Sequence, residues 1–271
     1  AVQGYLKLAA QGKYQEALAL IKKDNPFPAV CGRICNKRCE EACTRGTIDE
    51  AVAIDAVKKF LAEQDLNAET RYIPPVVIAS SRLEKWAQKI AIIGSGPAGL
   101  SAAYYLATKG YKPTVFEKSQ KPGGMLTYGI PSFKLERNII DAEIQVIREL
   151  GVEIRCGVEV GKDVTIQQLR EQGFEAFYIA IGCQGGRRPG VANEEALGTS
   201  IAVEFLHKAL EDEHQTMDGN VVVVGGGNVA VDCAKTAKRF GAASVAMVCL
   251  EDRATMPASN NEIAETLEEG I

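Results

Sequence analysis

Apolar residues recur at helical spacing over the first two dozen positions: Tyr5, Leu6, Leu8 and Ala9, then Tyr14, Ala17, Leu18 and Ile21. This period predicts helix across residues 1–23. Asp24-Asn25-Pro26-Phe27-Pro28 ends it, because proline has no N–H to donate and crowds the preceding turn. The helical period returns over residues 51–64 through Val52, Ile54, Val57, Phe60 and Leu61. Residues 65–88 have the look of a linker, with Pro74-Pro75, a short β-like run Val76-Val77-Ile78, and Trp86 as an anchor.

From Lys89 the pattern alternates between short apolar runs and amphipathic stretches. Strands are predicted at Lys89–Ile93, Pro113–Glu117, Val152–Cys156 and Ala176–Ile181, with helices over 98–109, 138–150 and 165–171 between them. Residues 183–197 are loop-like and 200–211 helical; a second series follows, with a strand at Val221–Val224, a helix over 228–239 and a strand at Ser244–Leu250. Alternating strand and helix predicts a doubly wound α/β architecture. The fold expected is α/β: two Rossmann-like dinucleotide-binding domains after a small helical domain. Its boundaries are drawn at 1–75 (helical), 76–88 (linker), 89–190 and 191–271. The chain starts without Met and stops at Glu268-Glu269-Gly270-Ile271 with few strands left for its last domain, so it is expected to be a piece of a longer protein.

Two glycine-rich turns sit where a strand meets a helix. Gly94-Ser95-Gly96-Pro97-Ala98-Gly99 is G-x-G-x-x-G in full, and Glu117 ends the next strand. The first glycine allows the tight turn, the second lets the backbone approach a pyrophosphate, and the third lets helix and strand pack closely; the acid suits a ribose. Gly225-Gly226-Gly227-Asn228-Val229-Ala230 is the variant ending in Ala, and its second strand runs into Cys249-Leu250-Glu251-Asp252. An acid there favours a free ribose 2′-hydroxyl over a 2′-phosphate, hence NAD(H) over NADP(H), although Arg253 could reach a phosphate. An ordinary packing turn is the bland alternative for each.

After Glu117 come Lys118 and then Gly123-Gly124-Met125-Leu126. A second glycine pair just past the ribose acid resembles flavoproteins with two dinucleotide-binding domains, in which this loop lies along FAD. Ala180-Ile181-Gly182 is similar to the Ala-Thr-Gly segment that closes that domain, with Ile in place of Thr.

Composition narrows the partners. The 271 residues are 46% apolar and 24% charged, with a formal net charge of −4, which argues against nucleic acid. No run approaches the roughly 18 apolar residues of a membrane span, and no signal peptide opens the chain; a cytoplasmic location is expected. Four of the eight cysteines crowd together, as Cys31, Cys35, Cys39 and Cys43. Without a secretory signal such crowding favours a metal or cluster site over disulfides; an iron–sulfur cluster suits four thiolates, and zinc is the alternative, although its usual C-x₂-C knuckle is missing.

The stretch from Asp24 to Cys35, both glycine turns, Gly123 to Pro131 and Met256-Pro257-Ala258 together resemble the small (β) subunit of glutamate synthase and its relatives, including the large subunit of ferredoxin–NADPH transhydrogenases and the N-terminal part of dihydropyrimidine dehydrogenase. The resemblance implies two [4Fe–4S] clusters, FAD at the Gly94 turn, NAD(P)H at the Gly225 turn, and a larger electron-accepting partner such as the glutamate synthase large subunit or a ferredoxin. It makes Cys35, Cys39 and Cys43 cluster ligands, with Cys31 matching the first cysteine of the motif. Ligands would be shared with an upstream cysteine group that this chain lacks. Lys58 stands where some members carry a ligating Glu or Gln, and Leu250-Glu251 where NADPH-using members carry two arginines.

The activity expected is electron input: hydride from NADH to the flavin, then single electrons through clusters. Such chemistry needs no acid–base residue, and His207 and His214 read as surface residues. A disulfide reductase would need a cysteine pair beside the flavin, which the 123–126 loop does not have. A binding subunit without turnover is the remaining alternative.

Overall fold

A computed structural model of the protein describes residues 1–76, 88–212 and 214–271. Residues 77–87 of the linker, Trp86 among them, fall outside these residues. Helices α1 (Val2–Ala10) and α2 (Tyr14–Lys22) replace the single predicted helix. The break is at Gly12, whose φ of 72° is left-handed and ends the first helix. Tyr5, Ala17 and Ile21 close on Ile54 and Leu61 of a later helix to form the core of this part.

The cysteine segment is more ordered than its prolines suggest. Helix α3 (Pro28–Ile34) starts on Pro28, a position where the missing N–H costs nothing. A single turn, α4 (Arg38–Glu41), and a 3₁₀ turn at Thr44–Thr47 follow, then α5 (Ile54–Leu66).

Next come β1 (Lys89–Ile93), α6 (Pro97–Thr108), β2 (Lys112–Glu117), the short α7 (Met125–Tyr128), α8 (Arg137–Glu149), β3 (Glu153–Cys156), α9 (Ile166–Glu171) and β4 (Phe174–Ile179). All four strands are parallel, in the order β3-β2-β1-β4. The chain therefore leaves β1 in opposite directions on its two sides, and the crevice beyond the carboxyl end of β1 is where such sheets bind ligands. Ile90, Ala91 and Ile92 are buried, as a strand covered on both faces requires.

A buried charge network fastens the N-terminal helices to this sheet. The Lys22 Nζ lies 3.4 Å from Asp65 Oδ2 and donates to the Tyr72 carbonyl at 3.1 Å. Arg71 donates to Asp65 (2.7 Å) and to the Ala142 carbonyl of α8 (3.3 Å). The Ala29 N–H of α3 donates to Glu143 on α8 (3.2 Å), and the Tyr104 hydroxyl of α6 to the Lys22 carbonyl (2.8 Å).

The rest comprises α10 (Ala202–Glu211), β5 (Asn220–Val224), α11 (Asn228–Arg239), β6 (Ser244–Val248) and α12 (Asn260–Glu268), with β5 and β6 paired in parallel. By packing, the chain divides into two units: Ala1–Thr127 with Lys134–Gly182, and Tyr128–Phe133 with Cys183–Ile271. Among the described residues, no helix is long and apolar enough to cross a membrane.

Candidate functional site

The first glycine turn is shaped by contacts that exclude side chains. Gly94 has φ 104°, and a Cβ there would lie 2.3 Å from the Ala180 carbonyl oxygen. Its N–H donates to the Phe116 carbonyl (2.8 Å), while the Ala180 N–H donates to that of Ile93 (2.8 Å). The turn thus threads between the ends of β2 and β4. A Cβ on Gly99 would lie 2.0 Å from the Gly94 carbonyl oxygen, so α6 starts directly against the turn. Pro97 occupies the first helical position and Ala98 the next, both exposed.

Around this turn the structure gathers residues distant in sequence. Glu117, 6% exposed at the end of β2, accepts the Ser95 N–H (2.8 Å) and hydroxyl (2.7 Å) on one oxygen and the Ser119 N–H (2.9 Å) on the other. Burial opposes its charge, but these bonds outweigh it and hold the carboxyl below its ordinary range. The Gly123 N–H donates to the Ser95 carbonyl (3.0 Å). Gly124 packs on Gly96, so closely that a Cβ would lie 2.7 Å from the Gly96 Cα. Met125 and Leu126 begin α7 from there. Lys118 and Gly182 are exposed, and a Cβ on Gly182 would touch nothing.

The second turn repeats the design with looser packing. The Gly225 N–H donates to the Val248 carbonyl (2.8 Å), and a Cβ on Gly225 would make only an ordinary contact, 3.4 Å, with that of Ala230. Gly226 is flanked by the end of β6: its Cβ position lies 3.0 Å from the Cys249 Cβ and 3.3 Å from a Glu251 carboxylate oxygen. Gly227, just before α11, has nothing within 4 Å of its Cβ position. Asn228 is committed elsewhere, since its side-chain oxygen accepts the Ser259 N–H (3.0 Å). Val229 is half-exposed on α11. The Ala258 N–H donates to the Gly226 carbonyl (2.9 Å), so residues 256–259 bind back onto the turn. The sequence offers no local signal for this beyond the Met256-Pro257-Ala258 resemblance. Asp252 accepts the Thr255 hydroxyl and N–H and the Ala254 N–H, bonds that lower its carboxyl and fix a tight turn after Glu251.

Both turns can receive a pyrophosphate on the unpaired N–H groups of a helix start, with an acid at the neighbouring strand end for a ribose. The Glu117 carboxylate already accepts from Ser95 and Ser119, so a ribose hydroxyl would share its oxygens with those donors.

All eight cysteines are free thiols. Cys31 lies on α3, where burial pushes its thiol up; Cys35 follows that helix, Cys39 lies on α4, and Cys43 precedes the 3₁₀ turn, where backbone N–H groups of Val52 and Arg45 lower its thiol. Among the described residues, no three His, Cys, Asp or Glu side chains converge tightly enough to hold a metal ion. Lys58 is committed to Asp55 (2.6 Å); burial opposes its charge, and the carboxylate outweighs burial. Cys233 is buried and pushed up to about 12 by that burial, which makes it inert as a nucleophile. His207, expected at the surface, packs its ring on Tyr128 (centroids 4.7 Å) and lies 3.4 Å from Glu211.

Comparison with known proteins decides the family. Residues 88–271 match the profile of pyridine nucleotide-disulphide oxidoreductases. The chain belongs to this family. Residues 1–70 match dihydropyrimidine dehydrogenase domain II, 4Fe-4S cluster. The chain is 41% identical to the NADP(+)-dependent formate dehydrogenase subunit beta of Moorella thermoacetica, over all of this chain and 41% of that protein. It is 34% identical to the glutamate synthase [NADPH] small chain of Escherichia coli, over all of this chain and 58% of that one. It is also 35% identical to the NAD-dependent dihydropyrimidine dehydrogenase subunit PreT of Salmonella typhimurium, over 95% of this chain and 61% of that one. These matches bear out the resemblance to the glutamate synthase small subunit and its relatives; the chain spans about half the length of the relatives it matches. The fold is that of Mycobacterium tuberculosis FprA in complex with NADPH, at a TM-score of 0.55 and 21% identity, over 67% of this chain and 47% of that one.

Proposed function

We propose that this chain forms the nucleotide-binding part of an electron-input enzyme. FAD occupies the turn built from Gly94, Ser95, Gly96 and Glu117, beside Gly123 and Gly124, and the mobile nicotinamide nucleotide occupies the turn at Gly225–Ala230. The observation that carries this reading is the pair of strand-end acids, each beside its own glycine turn: Glu117 on Ser95 (2.8 Å) and Glu251 against Gly226. FAD, when bound, supplies hydride acceptance and onward release of single electrons. The chain's own residues bind and orient. The α6 and α11 starts take the pyrophosphates, Glu117 takes a ribose, and the 123–126 loop lies along the flavin.

NADH is the preferred donor in this reading. The Glu251 carboxylate beside Gly226 repels a 2′-phosphate and accepts a free 2′-hydroxyl. The relatives are named for both nucleotides, so the preference rests on Glu251 alone. Electron acceptance by iron–sulfur centres is assigned to residues 1–70 on the family match, not on convergence of the four thiols. The partner in this reading is a larger electron-accepting subunit or domain. Anaerobic addition of NADH to the full-length, FAD-loaded protein tests the proposal. Bleaching of the flavin absorbance is expected; no bleaching with either nicotinamide overturns it.

A further inference from the structure

After β6 the chain turns at residues 252–255 and comes back onto the second glycine turn. Asp252 fixes the departure: its carboxylate accepts the Ala254 N–H (3.0 Å) and both the N–H (2.9 Å) and the hydroxyl (2.8 Å) of Thr255. Two hydrogen bonds fix the return. The Ala258 N–H donates to the Gly226 carbonyl (2.9 Å), and the Ser259 N–H donates to Asn228 Oδ1 (3.0 Å). Ala258 is buried against Val231 of α11 and Ile263 of α12, with Met247 and Met256 packed on them. Lys235 of α11 pairs with Glu265 (3.0 Å) and Glu269 (3.1 Å) of α12. The helix after the returning segment is thus held to the helix after the turn.

These bonds orient a peptide group. In a trans peptide the C=O and the following N–H point in opposite directions. With the Gly226 carbonyl turned to Ala258, the Gly227 N–H faces away from the returning segment. Gly227 itself stands open, with nothing within 4 Å of its Cβ position. An N–H aimed this way, just ahead of the unpaired N–H groups at the start of α11, is a donor for a pyrophosphate oxygen. Asn228 opens α11, yet its side-chain oxygen is engaged by Ser259.

We propose that residues 256–259 are a clamp on the pyrophosphate turn, and that Asn228 is a positioning residue for the nicotinamide nucleotide that acts through this clamp. This rests on the nucleotide assignment proposed above. A loosened clamp frees the Gly226–Gly227 peptide to rotate, so the loss falls on ligands that carry a pyrophosphate. Adenosine, which lacks one, is spared.

The test uses the full-length, FAD-loaded protein, titrated with ADP-ribose and, as a competitor of NADH, with adenosine. Asn228→Ala is expected to raise the Kd for ADP-ribose by about fivefold or more, and the inhibition constant of adenosine by less than about twofold. Ser259 has a φ of −65°, which proline adopts, so Ser259→Pro removes the N–H without forcing the backbone. It should raise the Kd for ADP-ribose at least about threefold above that of Ser259→Ala, which removes the side chain alone. The two losses should not add in the double variant Asn228→Ala/Ser259→Pro, because both break one bond. No loss, equal losses for the two ligands, or a loss in Asn228→Ala that Ser259→Pro does not share overturns the clamp and leaves the nucleotide assignment intact. A parent protein that binds neither ADP-ribose nor adenosine overturns both.

Discussion

The two donors of Ser95, its N–H and its hydroxyl, converge on one oxygen of Glu117 at 2.8 and 2.7 Å. The end of β2 is thereby joined to the turn after β1 before any ligand arrives. Hydrogen bonds to a charged group contribute roughly 1.5–3 kcal/mol each, not additively. Glu117→Ala is expected to destabilise the protein by about 2–3 kcal/mol and to strip it of flavin. Because the folded carboxyl is held below its ordinary value, its contribution is present above the unfolded pKa and lost as pH falls through the folded one. Thermal unfolding and flavin content after gel filtration measure both effects; retention of flavin by the variant argues against this site.

Glu143 shows the opposite shift. Burial raises its carboxyl to about 7, against the attraction of Lys22 and Arg71, and one of its oxygens has no hydrogen-bond partner. The folded state then holds a proton that the unfolded state releases. Between pH 4.5 and 7 this group makes stability fall as pH rises, by about 1–3 kcal/mol across the window. In Glu143→Gln that slope should vanish, leaving the variant more stable relative to the parent at pH 8 than at pH 5. Denaturant unfolding at the two pH values decides the point, and equal differences would contradict it.

The NADH preference is open to a direct substitution. Glu251→Arg removes the carboxylate beside Gly226 and supplies a phosphate partner. The ratio of kcat/KM for NADPH to that for NADH should rise by about tenfold or more. A parent protein that already prefers NADPH would refute the role given to Glu251.

The two glycine turns should respond differently to a change between glycine and alanine at the third position. Gly99→Ala would push a Cβ to 2.0 Å from a backbone oxygen that has nowhere to move. A loss of about 3 kcal/mol or more, with loss of flavin, is expected. Ala230→Gly, at the matching place in the second turn, should cost only about 0.5–1 kcal/mol. Melting curves of the two variants compare them.

Much of this was legible from residue order. The strand-end acids, the glycine turns and most element positions follow from period and spacing. Thr165, read as the start of a helix, caps α9 through Gln168. What escaped is of tertiary origin. The break at Gly12 leaves the helical period intact on both sides, so the pattern alone reads as one helix. Helix α3 begins on a proline that local reading treats as a stop. The return of residues 256–259 to Gly226, and the seating of Tyr128 on His207, join positions whose neighbours in sequence give no hint of each other.

The buried network of Lys22, Asp65, Arg71 and Glu143 bears on how such proteins can be recombined. The region resembling dihydropyrimidine dehydrogenase domain II ends near residue 70, yet its Ala29 N–H donates to Glu143 on α8, and Arg71, just past its end, donates to the Ala142 carbonyl of the same helix. Ancestry draws a seam there, and cooperative folding does not respect it. A helical segment transplanted from a relative would leave Glu143 facing strangers unless α8 travelled with it. Chimeras cut at the ancestral seam should therefore misfold more often than those that carry both helices as one inherited piece.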